Sequence, residues 1–305
     1  MKIIHFMIRP KYLKKGDTIA IVSTARKVSK DELNASVLIL NNWGLNIIFG
    51  LSIGAEHYQF AGMDSLRASD FQEMLDNPKI KAIWCARGGY GTVRMIDLLD
   101  FSNFKNKPKW IIGYSDVTVL HSHLHQLGFE TLHAQMPVSI ETKTKACVQS
   151  IKNSLFGKNN NIIIPSEVFN VTGNAKGVLV GGNLSMLYSL CGSSSSISTK
   201  GKILFIEDLD EYLYHIDRML QNLKRNGMLD QLEGLIIGGM TKMNDNDIPF
   251  GQSAEEIILS ICDDYNYPIV FNFPAGHIKD NRALILGRKA ELIISKTETI
   301  LTFDS

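Results

Sequence analysis

Three polar residues at the ends of apolar runs carry the chemistry that this sequence offers. Trp110-Ile-Ile-Gly-Tyr-Ser-Asp-Val117 reads as a buried strand that turns after Gly113 into a helical pattern, with Ser115 at the turn. A serine there has its hydroxyl held clear of the sheet, and the helix N-terminus behind it favours developing negative charge. A G-x-S-x-G elbow would need glycine where Val117 stands, so that motif is not met, and taken alone the segment favours a serine that merely caps the helix. Leu204-Phe-Ile-Glu-Asp-Leu209 puts Glu207 at the C-terminal end of an apolar run, where ligands and catalytic groups collect in parallel α/β sheets. Its plainer role is a carboxylate at a helix N-terminus, which Asp208 or Asp210 fills equally well. Phe273-Pro-Ala-Gly-His-Ile-Lys-Asp280 sets His277 in a loop after a strand, as a candidate base, although a single loop histidine is more often a surface group. Together the three supply nucleophile, orienting carboxylate and base in the order Ser…Glu…His. Imidazole takes the serine proton, and the carboxylate fixes its tautomer and stabilises the imidazolium.

A second group of residues bears on anions and metals. Ala86-Arg-Gly-Gly-Tyr-Gly91 follows a strand, and its glycines let backbone N–H groups approach a ligand. It is no dinucleotide fingerprint, because Arg94 stands where the last glycine belongs, and it lacks the Lys-Ser/Thr of a phosphate loop. An anion nest or oxyanion hole is the functional reading and a plain tight turn the bland one. In His121-Ser-His-Leu-His125, His121 and His125 share a helix face, but there is no HExxH pattern and no third ligand. Cys85, Cys147, Cys191 and Cys262 form no CxxC pair, so no metal site and no disulfide framework is expected.

The elements that must position these groups alternate. Thr18–Ser23, Ile80–Cys85 and Trp110–Gly113 read as strands, and Ser29-Lys-Asp-Glu32 has the form of a capping box opening a helix that ends near Gly44. A helix is expected over Thr92–Leu99 and another after Ser115. Strands alternating with helices imply parallel βαβ units with both sheet faces covered. After a helix at Ala146–Leu155 the pattern weakens, and residues 151–172 read as a connection between a unit at 1–150 and another at 173–305. In the second unit Gly177–Val180, Lys202–Ile206 and Leu235–Ile237 read as strands and Tyr212–Asn226 as a long helix. The tail at Ala283–Phe303 reads as short strands, which suggests mixed α/β with a partly closed sheet.

Whole-chain quantities set the limits. At 305 residues the chain has room for roughly two domains at about 150 residues each. Its 45% hydrophobic content excludes a disordered chain. With 32 basic and 31 acidic residues the net charge is +1, which removes the electrostatic argument for a nucleic-acid or anionic-membrane partner. Met1–Leu13 holds a short apolar run broken by His5, Arg9 and Lys11, without the apolar core and cleavage site of a secretion signal. No stretch is long and apolar enough to span a bilayer, so a reducing, cytoplasmic location is expected.

Eight segments in this order and spacing resemble the LD-carboxypeptidase family of serine peptidases, which includes murein tetrapeptide LD-carboxypeptidases and microcin C7 self-immunity peptidases. They are Lys15-Gly-Asp-Thr-Ile-Ala-Ile-Val22, Asp64-Ser-Leu-Arg-Ala68, Ala86–Gly91 followed by Arg94, Gly113-Tyr-Ser-Asp116, Gly181-Gly-Asn-Leu184, Phe205-Ile-Glu-Asp208, Ile216-Asp-Arg-Met219 and Gly276-His277. The resemblance implies a Rossmann-like, parallel-sheet N-terminal domain with the nucleophile, and a mixed α/β, partly barrel-like C-terminal domain with the other two triad members. It maps the triad onto Ser115, Glu207 and His277, and the oxyanion hole onto the backbone N–H groups of Gly89 and Asp116. It also implies a homodimer without a cofactor and an active site between the domains. The implied substrate is a murein tetrapeptide, cleaved between the L-centre of its third residue and terminal D-Ala during cell-wall peptide recycling. A peptidyl-nucleotide antibiotic is the alternative within the family, and a non-enzymatic anion-binding module the alternative outside it. Many members carry a Pro-Ser-Gly-like turn after the first strand where this chain has Ser23-Thr-Ala-Arg26, so substrate detail is open at that loop. Removing only a terminal residue requires recognition of a free carboxylate, which favours a fixed cation. Arg87, Lys279 and Arg282 are the candidates by their closeness in sequence to the proposed oxyanion hole and to His277.

Overall fold

A computed structural model describes residues 7–304, so Met1–Phe6 of the N-terminal run lies outside the described residues. The first half runs β1 (Thr18–Val22), α1 (Asn34–Trp43), β2 (Asn46–Phe49), α2 (Asp64–Asp76), β3 (Ile80–Cys85), β4 (Trp110–Gly113), α3 (Thr118–Gln126), β5 (Thr131–His133) and α4 (Lys145–Leu155). The second runs β6 (Ile162–Pro165), β7 (Gly173–Asn183), α5 (Leu184–Leu190), β8 (Lys202–Leu209), α6 (Leu213–Arg225), β9 (Gly234–Thr241), α7 (Ala254–Cys262), β10 (Ile269–Val270), β11 (Leu284–Leu286), β12 (Lys289–Ile294) and β13 (Glu298–Phe303).

The strands of the first half form one sheet in the order β11-β5-β4-β3-β1-β2, parallel throughout except for the antiparallel edge strand β11. These strands are apolar on both sides, and helices cover both faces, as a parallel sheet requires. Ala68, Phe71, Met74 and Leu75 of α2 and Leu120 and Leu124 of α3 pack in one layer. Leu40 and Trp43 of α1 and Ile151 and Leu155 of α4 pack in the other. The Ser29–Glu32 box forms, with the Ser29 N–H donating to Glu32 Oε2 at 2.8 Å, and Gly44 ends α1 in the left-handed conformation at φ 78°. A 3-10 turn at Asp31–Leu33 precedes the α-helix proper.

The helix expected over Thr92–Leu99 is instead two 3-10 turns, Thr92–Arg94 and Ile96–Leu98. Both ends of the segment are held by side chains of other elements. The Thr92 N–H donates to Asp116 Oδ2 at 2.8 Å and the Asp100 N–H to Gln72 Oε1 at 2.8 Å, so tertiary bonds override local helix preference.

The second sheet has the order β10-β9-β8-β7-β12-β13-β6, parallel from β10 to β7 and antiparallel from β7 to β6. An antiparallel bridge between Val171 and Ile269 ties the chain following β6 to β10, which draws the two edges of the sheet toward each other. Helices α5, α6 and α7 cover one face. The opposite face packs on Phe273, Leu284 and Leu286. Two features depart from a simple division of the chain. The connecting segment 151–172 holds the second half of α4 and all of β6, and β11 from the tail joins the first sheet.

Candidate active site

Both parallel strands that carry proposed catalytic groups end at the same cleft. Strand β4 delivers Ser115 immediately after its C-terminal residue Gly113 and Tyr114. Ser115 has φ +63°, a left-handed conformation that side-chain-bearing residues seldom adopt and that costs roughly 1–3 kcal/mol. The 3-10 turn Ser115–Val117 and helix α3 both lack a side-chain cap, so Ser115 does not act as the capping serine that its segment alone favours. Its hydroxyl is left for other work.

Strand β8 delivers Glu207. The period-2 alternation places Ile203, Phe205 and Glu207 on the face toward the first half, and Leu204, Ile206 and Asp208 toward the covering helices. Glu207 is fully buried and accepts from His277 Nδ1 at 2.7 Å and from the His277 backbone N–H at 3.1 Å. This geometry demands glycine before the histidine. Gly276 has φ +101°, and a Cβ on it would lie 2.6 Å from Glu207 Oε2. With Nδ1 committed to the carboxylate, Nε2 is the ring nitrogen that remains for a nucleophile. Burial pulls the imidazole pKa down, but the charge and hydrogen bond of Glu207, with Asp208 adding, outweigh it and hold His277 above its usual value of 6.5. The Tyr114 ring packs against the imidazole with centroids 4.8 Å apart.

Asp208 serves the other face. Its Oδ2 accepts from the Ser185 N–H at 2.9 Å and from Ser185 Oγ at 2.7 Å, and its Oδ1 from Asn183 Nδ2 at 2.8 Å. Burial and the neighbouring Glu207 charge push its pKa up to about 6.

The glycine turn lies against the serine. A Cβ on Gly88 would meet Ser115 Oγ at 3.3 Å. Buried Asp116 ties turn and elbow together through the Thr92 N–H, and burial raises its carboxyl above the usual carboxylate range. Arg67, fully buried, donates from Nη1 to Gly91 O at 3.0 Å and to Thr24 O at 2.5 Å, and it pairs with Asp64, which also pairs with Arg94. Asp64, Arg67 and Arg94 are therefore positioning residues for the turn.

Ser115, His277, Gly89 and Arg87 line one cleft of about 570 Å³, with Glu207 directly behind the imidazole. Two expected carboxylate readers do not reach it. Lys279 is exposed elsewhere, and Arg282 is paired to Asp280, with Nε at 3.0 Å and Nη2 at 2.9 Å from Oδ2; neither lines the cleft. The reason is that the chain after His277 is bonded to the start of α4. Lys143 Nζ donates to Ile278 O at 2.8 Å, and Thr144 donates to Lys279 O and Asp280 Oδ1. Arg87 lines the cleft but bonds Glu32 Oε1 at 3.3 Å. Arg26, at the end of the loop where substrate detail is open but not among the expected carboxylate readers, lines it too. The three helix histidines take separate partners: His121 bonds Thr131 and Gly113, His123 bonds Ser195, and His125 bonds Lys202.

Comparison with known proteins assigns the chain to a family. Residues 19–134 match the model of the LD-carboxypeptidase N-terminal domain and residues 176–292 that of the LD-carboxypeptidase C-terminal domain. A Bacillus subtilis protein named "Probable murein peptide carboxypeptidase" is 33% identical over 305 residues, spanning 96% of this chain and 94% of that protein. The "Murein tetrapeptide carboxypeptidase" of Pseudomonas aeruginosa is 27% identical, spanning 90% of this chain and 92% of that protein. The crystal structure of muramoyltetrapeptide carboxypeptidase from Oxalobacter formigenes superposes with a TM-score of 0.86 at 26% identity, covering 94% of this chain and 99% of that one. The microcin C7 self-immunity protein MccF, bound to aspartyl sulfamoyl adenosine, shares the fold with a TM-score of 0.86 at 22% identity, covering 98% of this chain and 99% of that one. Fold and relatives together define a serine-type carboxypeptidase. The chain belongs to the LD-carboxypeptidase family.

Proposed function

We propose that this enzyme hydrolyses the L,D-peptide bond that releases terminal D-Ala from murein tetrapeptides, in the recycling of cell-wall peptides. The observation that carries the reading is the 2.7 Å bond from His277 Nδ1 to buried Glu207, beside a cleft that also holds Ser115 on a left-handed turn. His277 Nε2 takes the Ser115 proton as Oγ attacks the carbonyl of the third residue. The N–H groups of Gly89 and Asp116 hold the oxyanion, each worth about 3–4 kcal/mol in comparable sites. The imidazolium then protonates the leaving D-Ala amine, and an acyl-enzyme remains. Water, deprotonated by the same imidazole, releases the tripeptide acid.

The reaction needs no cofactor. In this reading the unit at 1–150 supplies the nucleophile and the unit at 173–305 supplies Glu207 and His277, with 151–172 between them. The enzyme works in the cytoplasm as a homodimer, a state that sedimentation of the purified protein checks. The name of the Pseudomonas relative supports the substrate class. The test is incubation with murein tetrapeptides ending in D-Ala or L-Ala, followed by mass analysis. Loss of one alanine from the D-terminated peptide alone is expected. Cleavage of an aminoacyl sulfamoyl nucleotide with no action on either tetrapeptide would move the substrate to the antibiotic class.

A further inference from the structure

Three features single out one cation in the cleft. Its charged lining comprises Arg26 and Arg87 from the first half of the chain and Asp208, Asp210 and Glu211 from the second, together with His277. Arg87 is engaged with Glu32, whereas among the described residues Arg26 has no carboxylate partner and is exposed. Arg26 also lies beside the proposed oxyanion donor. Its N–H donates to Gly88 O at 3.4 Å, and its stem covers Gly89 so closely that a Cβ there would stand 2.6 Å from Arg26 Cδ and 2.8 Å from Nε. The left-handed φ of +108° at Gly89 favours glycine, and the absence of a side chain there lets the Arg26 stem lie against the turn.

A substrate carboxylate one residue beyond the attacked carbonyl lies only about 3.3–3.6 Å of chain further on. A guanidinium beside the oxyanion donor is within reach of that position, and its planar fork matches a carboxylate. The carboxylates of Asp208, Asp210 and Glu211 elsewhere in the lining disfavour a substrate carboxylate beside them. We infer that Arg26 binds the substrate's C-terminal carboxylate and so limits this enzyme to removing a single terminal residue. This inference rests on the proposed reaction and assigns its specificity to the loop Ser23-Thr-Ala-Arg26.

Binding and turnover separate the two. Affinity is measured in the Ser115→Ala protein for a tetrapeptide ending in D-Ala and for its C-terminal amide, with Arg26 intact, as Arg26→Gln and as Arg26→Lys. With Arg26 intact the acid binds roughly ten- to several-hundredfold more tightly than the amide, the scale of a charge-assisted hydrogen bond. Arg26→Gln brings the ratio to within about threefold of one, and Arg26→Lys, which keeps the charge without the fork, falls between. Arg87→Gln leaves the ratio as it was. A wild-type ratio in Arg26→Gln, or its collapse in Arg87→Gln instead, overturns the inference. Arg26-dependent preference for the acid in a protein whose wild type releases no D-Ala would sustain the carboxylate site and reject the proposed reaction.

Discussion

Ser115 is held in a backbone conformation that its side chain disfavours, and that predicts opposite signs for activity and stability. Ser115→Ala should lower kcat by on the order of 10⁴-fold or more while the fold persists. Ser115→Gly should be equally inactive yet more stable than the alanine variant by about 1 kcal/mol, because glycine adopts φ +63° without strain. Chemical denaturation of the three proteins checks the order. His277 gives a pH prediction. In the proposed mechanism neutral imidazole is the base, so a raised pKa moves the loss of activity to higher pH, and the acid limb of kcat/KM should have its midpoint above 6.5. In Glu207→Gln the charge is gone, burial dominates, and the midpoint should drop below 6.5 as kcat falls. Asp208→Asn should lower it by less, since Asp208 is the weaker of the two influences. A midpoint unmoved by Glu207→Gln would mean that the two residues do not act as a unit.

At the scale of elements, the site depends on loops that only particular residues permit. Gly276→Ala should place a methyl group against Glu207 Oε2, break the bond to His277 and depress kcat steeply, with far-ultraviolet circular dichroism unchanged. The strands that carry Ser115 and Glu207 were legible in the sequence because β-branched runs ending in a polar residue have one simple reading in an α/β chain. The segment after Gly91 was not, since its turns are fixed by Asp116 and Gln72 from other elements. Lys279 and Arg282 follow His277 within five residues, yet the bonds to Lys143 and Thr144 carry them away from the cleft. Arg26 was missed for the converse reason. It lies far before Gly89 in the chain, and nothing in its own segment announces the contact.

At the scale of the molecule, the halves are joined by buried polar contacts as well as by chain. Arg288, just past β11, bonds Glu130, just before β5, with Nη2 at 2.6 Å from Oε2 and both side chains buried. Removing Glu130 strips buried Arg288 of its carboxylate, whereas removing Arg288 leaves Glu130 with Arg9, whose Nε lies 3.6 Å from Oε2. Glu130→Ala should therefore destabilise the fold by about 3–5 kcal/mol, Arg288→Ala by less, and joint replacement by apolar residues of similar volume by much less than Glu130→Ala. Urea midpoints of the single and double variants measure this. Nearer the site, the Asn183 N–H donates to Thr118 Oγ1 at 3.0 Å, and a Cβ on Gly182 would stand 2.5 Å from that oxygen. The close approach of β7 to α3 thus sets how the serine-bearing and carboxylate-bearing units meet.

The edge strand β11 bears on the order in which the enzyme can come into being. Leu284–Leu286 completes the first sheet, yet it is synthesised after every other strand of that sheet and after His277. Chains emerge N-terminus first at about 5–20 residues per second, so the sheet that carries Ser115 still lacks one edge after its other strands have been made. A nascent or prematurely terminated chain ending before residue 277 has Ser115 but lacks the base proposed for it. In the proposed mechanism hydrolytic competence therefore waits until residue 277 has been made, and chains stopped before it are expected to be hydrolytically silent.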